Sequence, residues 1–392
     1  MASFFLSVGE PSGDVLGAEL VAALNDIMPH AHGFGIAGPK LRNLEYEEIA
    51  GIEELSVMGF VEVIKHITYL KRLEDRLLME IDRRQPDFAV LVDYPGFNMR
   101  FAEFLKVRKI PVIQFVAPQL WAWKEGRTKK LRDVTDLVMG IMPFEETFFN
   151  DRDVNFKYVG TPQVDRAAAA KHRPADFKLS KPTIGFFPGS RRSELSKMLP
   201  MALAIRDEVR SQWPDKFQFA ISMAPSLDVS LFNQALSADE SSDLLSELSL
   251  GQSALLGDTS FVRGESLDLM ASVNSALVTS GTATLECALT NCPLCVVYRM
   301  SPLSYQLAKR LVKLPHISLV NLVAGREIIR EFVQEFTYEE VAQELAALAS
   351  DGDRRETVLG DLTHLHTLVQ GDLSRCAALA VQSFMNSRQS NI

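Results

Sequence analysis

Several apolar runs in this chain stop abruptly at residues able to do chemistry. FAVLVD (88–93) ends in Asp93, Tyr94-Pro95-Gly96 then forces a turn, and Asn98 starts the next helix. A carboxylate at the end of a buried strand can take a proton from an attacking hydroxyl, so Asp93 reads as a general base or as a turn-forming Asp. FFLSV (4–8) breaks into GEPSGD, where Gly9 and Gly13 permit a tight turn, Ser12 or Asp14 caps the following helix, and Glu10 is left as a carboxylate with no structural duty. FFPGSRRSEL (186–195) carries a strand into Gly189-Ser190-Arg191 and then a helix. Free N–H groups at that helix end read as an anion site, to which Arg191 or Arg192 adds a bidentate contact, or as an ordinary capped turn. The GxxxxGK[ST] spacing of a Walker loop is absent. VTSGTATLE (278–286) repeats the device with Ser280, Gly281 and Thr282, and places Glu286 one turn into the helix, where it reads as an acceptor for ribose hydroxyls or as a solvent-facing helix Glu. Two such turns in one half of the chain favour a diphosphate-containing nucleotide.

The elements that would hold these residues follow from hydropathy. Continuous apolar runs at 4–8, 33–38, 88–93, 111–116 and 136–142 alternate with helical patterns at about 15–27, 52–84 and 100–108. Such alternation predicts a parallel sheet covered on both faces. After a polar Ala/Lys/Pro-rich stretch it restarts, with strands at 183–187, 217–223, 275–280 and 293–298 and helices at about 194–213 and 283–289. The expected architecture is α/β, two Rossmann-like doubly wound domains facing a central cleft, with ligands at the carboxyl ends of the strands. The boundaries are 1–165, a linker at 166–182, a second domain at 183–358, and a helical segment at 359–392 packing back on the first domain. Residues 237–253, rich in Ser, Asp, Glu and Leu, read as a surface helix and loop.

The chain has 392 residues, 47% hydrophobic and 23% charged, enough for two cores. Its net charge of -9 argues against nucleic acid as a partner. FFLSV is too short and lacks the basic lead of a signal peptide, and no apolar run approaches the roughly 20 residues that span a bilayer. Of Cys287, Cys292, Cys295 and Cys376, only Cys292 and Cys295 have CxxC spacing and no second such pair accompanies them, so all four read as small core residues in a reducing compartment. Around Trp121 and Trp123, the basic residues Lys124, Arg127, Lys129, Lys130 and Arg132 suit a sugar, a phosphate or a headgroup layer, or an ordinary solvated helix over buried tryptophans.

Taken together, GEPSGD, AGP (37–39), EELSVMGFVEV (53–63), LVDYPGFN (91–98), PQLWAW (118–123), PFEETFF (143–149), FFPGSR, SGTATLE, YRMSPLSYQLAKRLVK (298–313) and SLVNLVAGRE (318–327) resemble the lipid-A-disaccharide synthases, two-domain glycosyltransferases of the GT-B type. The resemblance covers nearly the whole chain. It implies inverting transfer of 2,3-diacylglucosamine from a UDP-linked donor to 2,3-diacylglucosamine 1-phosphate, giving UDP and a β-1,6-linked lipid disaccharide. It also implies that Asp93 is the essential aspartate, that Glu10, Ser12, Gly13 and Asp14 shape the acceptor side, and that Gly189, Ser190, Arg191, Ser280, Gly281, Thr282, Glu286 and Asn321 hold UDP. Two positions depart from the family pattern: Gly96 stands where many relatives carry a second Asp, and Thr161 where many have His.

No cofactor and no metal are expected, because no Asp-x-Asp clamp stands at a strand end. The lipid substrates that the resemblance implies would require contact with the cytoplasmic face of the inner membrane. Met58, Val61, Ile64, Ile67 and Leu70 recur near helical spacing beside Lys65, Lys71 and Arg72, which fits an interfacial helix or an ordinary core-facing one. A homodimer stays open. Two other readings compete: another UDP-sugar enzyme of the same architecture, such as a 2-epimerase, and a non-catalytic lipid- or nucleotide-binding relative.

Overall fold

The computed structural model describes residues 2–55, 63–123, 125–170, 180–236, 248–279, 281–312 and 314–389. They form two compact units, Met1–Thr161 with Asp372–Ile392, and Pro162–Gly371.

The first unit holds a seven-stranded parallel sheet. Its strands are β1 (Ser3–Val8), β2 (His32–Ala37), β3 (Tyr46–Gly51), β4 (Phe88–Val92), β5 (Val112–Phe115), β6 (Leu137–Gly140) and β7 (Phe156–Tyr158), in the order β3-β2-β1-β4-β5-β6-β7. β4 is buried along its whole length, as a strand covered by helices on both faces must be. Its neighbour in the sheet is β1, with Val8 opposite Val92. Chain order therefore reverses between β1 and β4, and the ends of those two strands flank the crevice where open α/β sheets bind ligands.

The second unit repeats the plan. β8 (Thr183–Phe187), β9 (Gln218–Met223), β10 (Ser253–Leu256), β11 (Thr259–Arg263), β12 (Ser275–Thr279), β13 (Leu294–Tyr298) and β14 (Glu331–Val333) run in the order β10-β11-β9-β8-β12-β13-β14, antiparallel only between β10 and β11. Here the order reverses between β8 and β12, with Phe187 opposite Val278.

Five strands were not anticipated: β3, β7, β10, β11 and β14. Four of them, β3, β7, β10 and β14, lie at or run up to a sheet edge and are short or half-exposed, so they carry little continuous apolar signal. The amphipathic stretch expected from 52 resolves into a short turn of helix at Ile52–Glu54 and the helix Val63–Arg84, with 56–62 outside the described residues.

The helix Pro162–Ala168 runs from the end of the expected first domain into the expected linker and packs on Thr282–Leu289, and 171–179 lie outside the described residues. Of the stretch read as surface helix and loop, 237–247 lie outside the described residues and Ser253 opens β10. The single segment expected at the C-terminus is two helices. Asp353–Leu368 stays with the second unit, and Leu373–Gln389 joins the first, burying Leu373, Ala377, Ala378 and Val381 against its core. There it packs on the helix Pro11–Ile27, and the Gln382 side chain donates to the Ile27 carbonyl at 3.1 Å. Small residues at 377, 378 and 380 allow the two helices to approach closely.

Candidate active site

In the first unit, two of the predicted carboxylates stand on the two sides of the strand-order reversal. Glu10 follows β1 and is exposed, and Asp93 follows β4 and is half-buried. Ser12 and Asp14 cap nothing. The helix starts at Pro11, with Glu10 at the capping position and no side chain bonded to the helix end. Proline is suited to that first position because its missing N–H would go unpaired anyway.

Asp14 instead turns inward. It is 2% exposed, and its carboxylate accepts from the backbone N–H groups of Gly38 (3.0 Å), Lys40 (2.7 Å) and Leu41 (3.2 Å). It thus ties the AGP turn after β2 to the start of the first helix, a positioning role in place of substrate contact. Gly9 leaves room for the Tyr94 ring, since a Cβ there would come 2.3 Å from the Tyr94 Cγ. The glycine of the first motif and the tyrosine of the second are one packing unit.

Asp93 and Tyr94 both adopt left-handed backbone, at φ 47° and 46°. Asp tolerates that region and Tyr does so poorly, so the turn holds strain of the kind that gathers at functional sites. Burial raises the Asp93 pKa above the ordinary aspartate range; the Tyr94 backbone N–H counters it, and the negative charge of Glu10 adds to the rise. A more basic carboxylate beside a second one is suited to accepting a proton near neutral pH. Asn98 does not start its helix, which runs Pro95–Val107. It is fully buried, and its amide donates to the carbonyls of Val92 (3.1 Å) and Asp93 (2.7 Å). At Gly96 a Cβ would meet nothing within 4 Å. Thr161 is buried and donates to the Ile141 carbonyl at 2.6 Å.

Of the tryptophan pair, Trp121 is built into the fold and Trp123 is exposed, so the expected helix over two buried tryptophans holds only for the first. The Trp121 indole N–H donates to Glu145 at 3.0 Å, and its ring stands edge-to-face on Phe144. Lys130 pairs with Glu103 and Arg132 with Asp153; Lys124 lies outside the described residues. Glu145 is 2% exposed, and burial pushes its pKa up to about 7 although Trp121 and the Met142 N–H donate to it. Unfolded, this group ionises near 4.5; folded, it holds its proton to about 7. Its presence therefore costs nothing below the lower value, lowers stability progressively between the two, and costs about 3 kcal/mol above the higher. Glu145→Gln should remove that slope. Denaturation midpoints between pH 5 and pH 8 should fall with pH in the wild type and much less in the variant, and parallel curves would contradict the assignment.

In the second unit, the two glycine turns follow β8 and β12, the pair flanking the reversal. Gly189 has φ 106°, and a Cβ there would come 2.9 Å from the Glu194 carboxylate. The helix Arg192–Gln212 opens without a side-chain cap. Arg191 is 79% exposed and pairs with Glu194 at 2.8 Å. Gly281, at φ 124°, opens the helix Thr282–Leu289, also uncapped; Ser280 lies outside the described residues. Two uncapped helix starts side by side off paired strands present N–H groups to an anion. Glu286 is half-buried and meets Arg166 at 3.5 Å.

Asn321 does not belong to that surface. It is fully buried; its oxygen accepts from the N–H groups of Ile328 and Ile329, and its amide donates to the Ile329 carbonyl and Glu331. With those bonds made it shapes the AGRE loop and has no amide donor left for a ligand. Cys287, Cys292 and Cys295 are buried and free, and burial pushes the Cys287 and Cys295 thiols up, so they are unreactive core residues.

Paired doubly wound sheets, each with its polar turns at the reversal of strand order, define the fold of the GT-B glycosyltransferases and their epimerase relatives. The glycosyltransferase of kitacinnamycin superposes with a TM-score of 0.61 over 98% of each chain at 14% identity. A UDP-N-acetylglucosamine 2-epimerase from Neisseria meningitidis gives 0.57 over 99% and 100% of the two chains at 12% identity. The lipid-A-disaccharide synthetase family model matches residues 4–384. Lipid-A-disaccharide synthases of Koribacter versatilis and Anaeromyxobacter dehalogenans are 35% and 36% identical, over 94% and 90% of both chains respectively. The chain belongs to the lipid-A-disaccharide synthase family, and it is a glycosyltransferase acting in lipid A biosynthesis.

Of the predicted membrane patch, Met58 and Val61 lie outside the described residues, and at Ile64, Lys65 and Ile67 only the backbone is described. Leu70 is half-buried against the core of the first unit, while Lys71 and Arg72 are exposed. Among the described residues no helix is long and apolar enough to cross a membrane.

Proposed function

We propose that the first unit binds 2,3-diacylglucosamine 1-phosphate and the second binds UDP-2,3-diacylglucosamine, and that Asp93 is the base for a direct displacement that joins the two sugars. The acceptor's primary hydroxyl attacks the anomeric carbon of the donor as Asp93 takes its proton. A carbon–oxygen bond forms on one face while the bond to the diphosphate breaks on the other. UDP leaves with the electron pair, and an α-linked donor gives a β-linked product. Gly189, Ser190, Arg191 and the Ser280-Gly281-Thr282 turn would meet the charge that builds on the departing diphosphate. Glu286 would turn from Arg166 to the ribose hydroxyls. Glu10, with Ser12 and Gly13 beside it, would orient the acceptor sugar and keep the Asp93 carboxyl basic.

The observation that carries this reading is the placement of Asp93: a carboxylate of raised pKa in strained backbone, beside the strand-order reversal of its unit. The deciding experiment is product analysis after mixing the protein with the diacylated UDP-sugar and the diacylated sugar phosphate. UDP and an acylated disaccharide phosphate are expected, with none formed when the acceptor is left out. Release of UDP or epimerisation of the sugar without acceptor would favour the 2-epimerase reading, and binding without turnover the non-catalytic one.

Acylated substrates place the enzyme at the edge of the cytoplasmic face of the inner membrane, through the start of the helix Val63–Arg84. Lys71 and Arg72 would draw that end to anionic headgroups. Sedimentation with vesicles of phosphatidylethanolamine and phosphatidylglycerol should weaken with salt and in the double variant Lys71→Glu/Arg72→Glu. Equal binding by variant and wild type would move the membrane edge elsewhere.

A further inference from the structure

Two strand ends in the first unit carry strained backbone, and one buried side chain bridges them. The ladder between β4 and β5 runs through Val92 opposite Phe115, and the Asp93 N–H still donates to the Phe115 carbonyl at 2.8 Å. Both chains then turn left-handed, at Asp93 and at Val116, whose φ is 67°. A β-branched residue in that region is a true outlier and holds strain. The Gln114 side chain is 1% exposed, and its amide donates to the carbonyls of both Asp93 (3.3 Å) and Val116 (3.2 Å). Asn98 supplies a second donor to the Asp93 carbonyl, and its own oxygen accepts from the Ser7 hydroxyl on β1 at 3.1 Å. A buried chain of bonds thus runs from β1 through the Asp93 peptide to the end of β5.

We infer that Gln114 is a positioning residue for glycosyl transfer: by holding the carbonyls of Asp93 and Val116 together, it fixes the backbone from which the base is presented. Asn98 secures the same carbonyl from the helix side. The inference rests on the assignment of Asp93 as base. A glutamine buried at this place must find partners for both of its amide protons. Here its two amide protons satisfy the two carbonyls that the left-handed turns take out of the ladder, which buried polar groups require.

Gln114→Leu keeps the size and removes both donors. It should lower kcat about 10- to 100-fold through a small misplacement of the base, with KM for donor and acceptor unchanged. The acid limb of the kcat profile should move toward the ordinary aspartate range, because a loosened turn lets water reach a half-buried carboxylate that the Tyr94 N–H and Glu10 now face. In an Asp93→Asn background the same substitution should cost nothing further, whereas a purely structural defect would multiply through both backgrounds and leave the pH profile in place. Should the leucine variant fold poorly, Val116→Gly beside it relieves the left-handed strain. That pair should regain thermal stability while kcat stays low; recovery of kcat with stability would overturn the inference. An inactive Asp93→Asn enzyme beside a Gln114→Leu enzyme with wild-type kcat and pH profile would sink this inference alone. An active Asp93→Asn enzyme would sink the reading beneath it.

Discussion

Asp93→Asn leaves a folded enzyme whose turnover falls about 100- to 10,000-fold, the usual loss when a general base is removed. Folding should survive for two reasons. Asparagine tolerates the left-handed backbone at this position as well as aspartate does. The Asp93 carbonyl, which accepts from Asn98 and Gln114, is untouched. Stability should not drop near neutral pH either. The native pKa is raised by burial, so the unfolded chain gives up its proton at lower pH than the folded one. Ionised Asp93 therefore weighs against the native state above its ordinary pKa, and the neutral amide removes that penalty. Wild-type kcat/KM should rise with pH along an acid limb set above the usual aspartate range, and the residual rate of the variant should lack that limb. UDP affinity, measured by calorimetry, should be unchanged. Turnover close to wild type would end the assignment of Asp93 as base.

Arg191→Ala should have the next largest effect, reducing kcat/KM about 100- to 1,000-fold, the range found when one donor to developing charge is lost. UDP should also bind more weakly, because the diphosphate is present in the ground state as well as in the transition state. The substitution also frees Glu194, which Arg191 now holds at 2.8 Å. That carboxylate lies in the first turn of the helix whose start is to meet the diphosphate, so its charge would oppose the ligand. Glu194→Gln in the alanine background should therefore recover part of the UDP affinity. Arg191→Lys should recover part of the rate, as a point charge without the bidentate fork. Little loss of stability is expected, since the side chain is 79% exposed and an exposed ion pair contributes little. Normal kcat/KM and UDP binding in the alanine variant would remove Arg191 from the donor site.

The central strands were legible because they are long apolar runs covered on both faces, so composition alone marks β1, β4, β8 and β12. Edge strands such as β7 and β14 were not, since three residues with one half-exposed face leave no period to read. The polar site residues divided in the same way. Glu10, Asp93, Arg191 and Glu286 stand out at turns after apolar runs. Asp14 and Asn321 have the same kinds of side chain in equally suggestive motifs, yet they spend their hydrogen bonds on their own backbone. Gln114 carried a faint signal, one amide inside the apolar run PVIQFV, but its meaning depends on which strand lies beside it.

The sequence by itself determined the two α/β halves, the placement of carboxylates and glycine turns at strand ends, and the family, because local hydropathy and short motifs depend only on near neighbours along the chain. Tertiary structure decided which strand ends stand together. Pairing of β1 with β4 and of β8 with β12 joins segments about eighty to ninety residues apart, and that pairing puts Glu10 beside Asp93 and one glycine turn beside the other. It also decided which polar groups face solvent and which are consumed in holding the backbone, since a buried donor or acceptor must find a partner wherever the fold brings one.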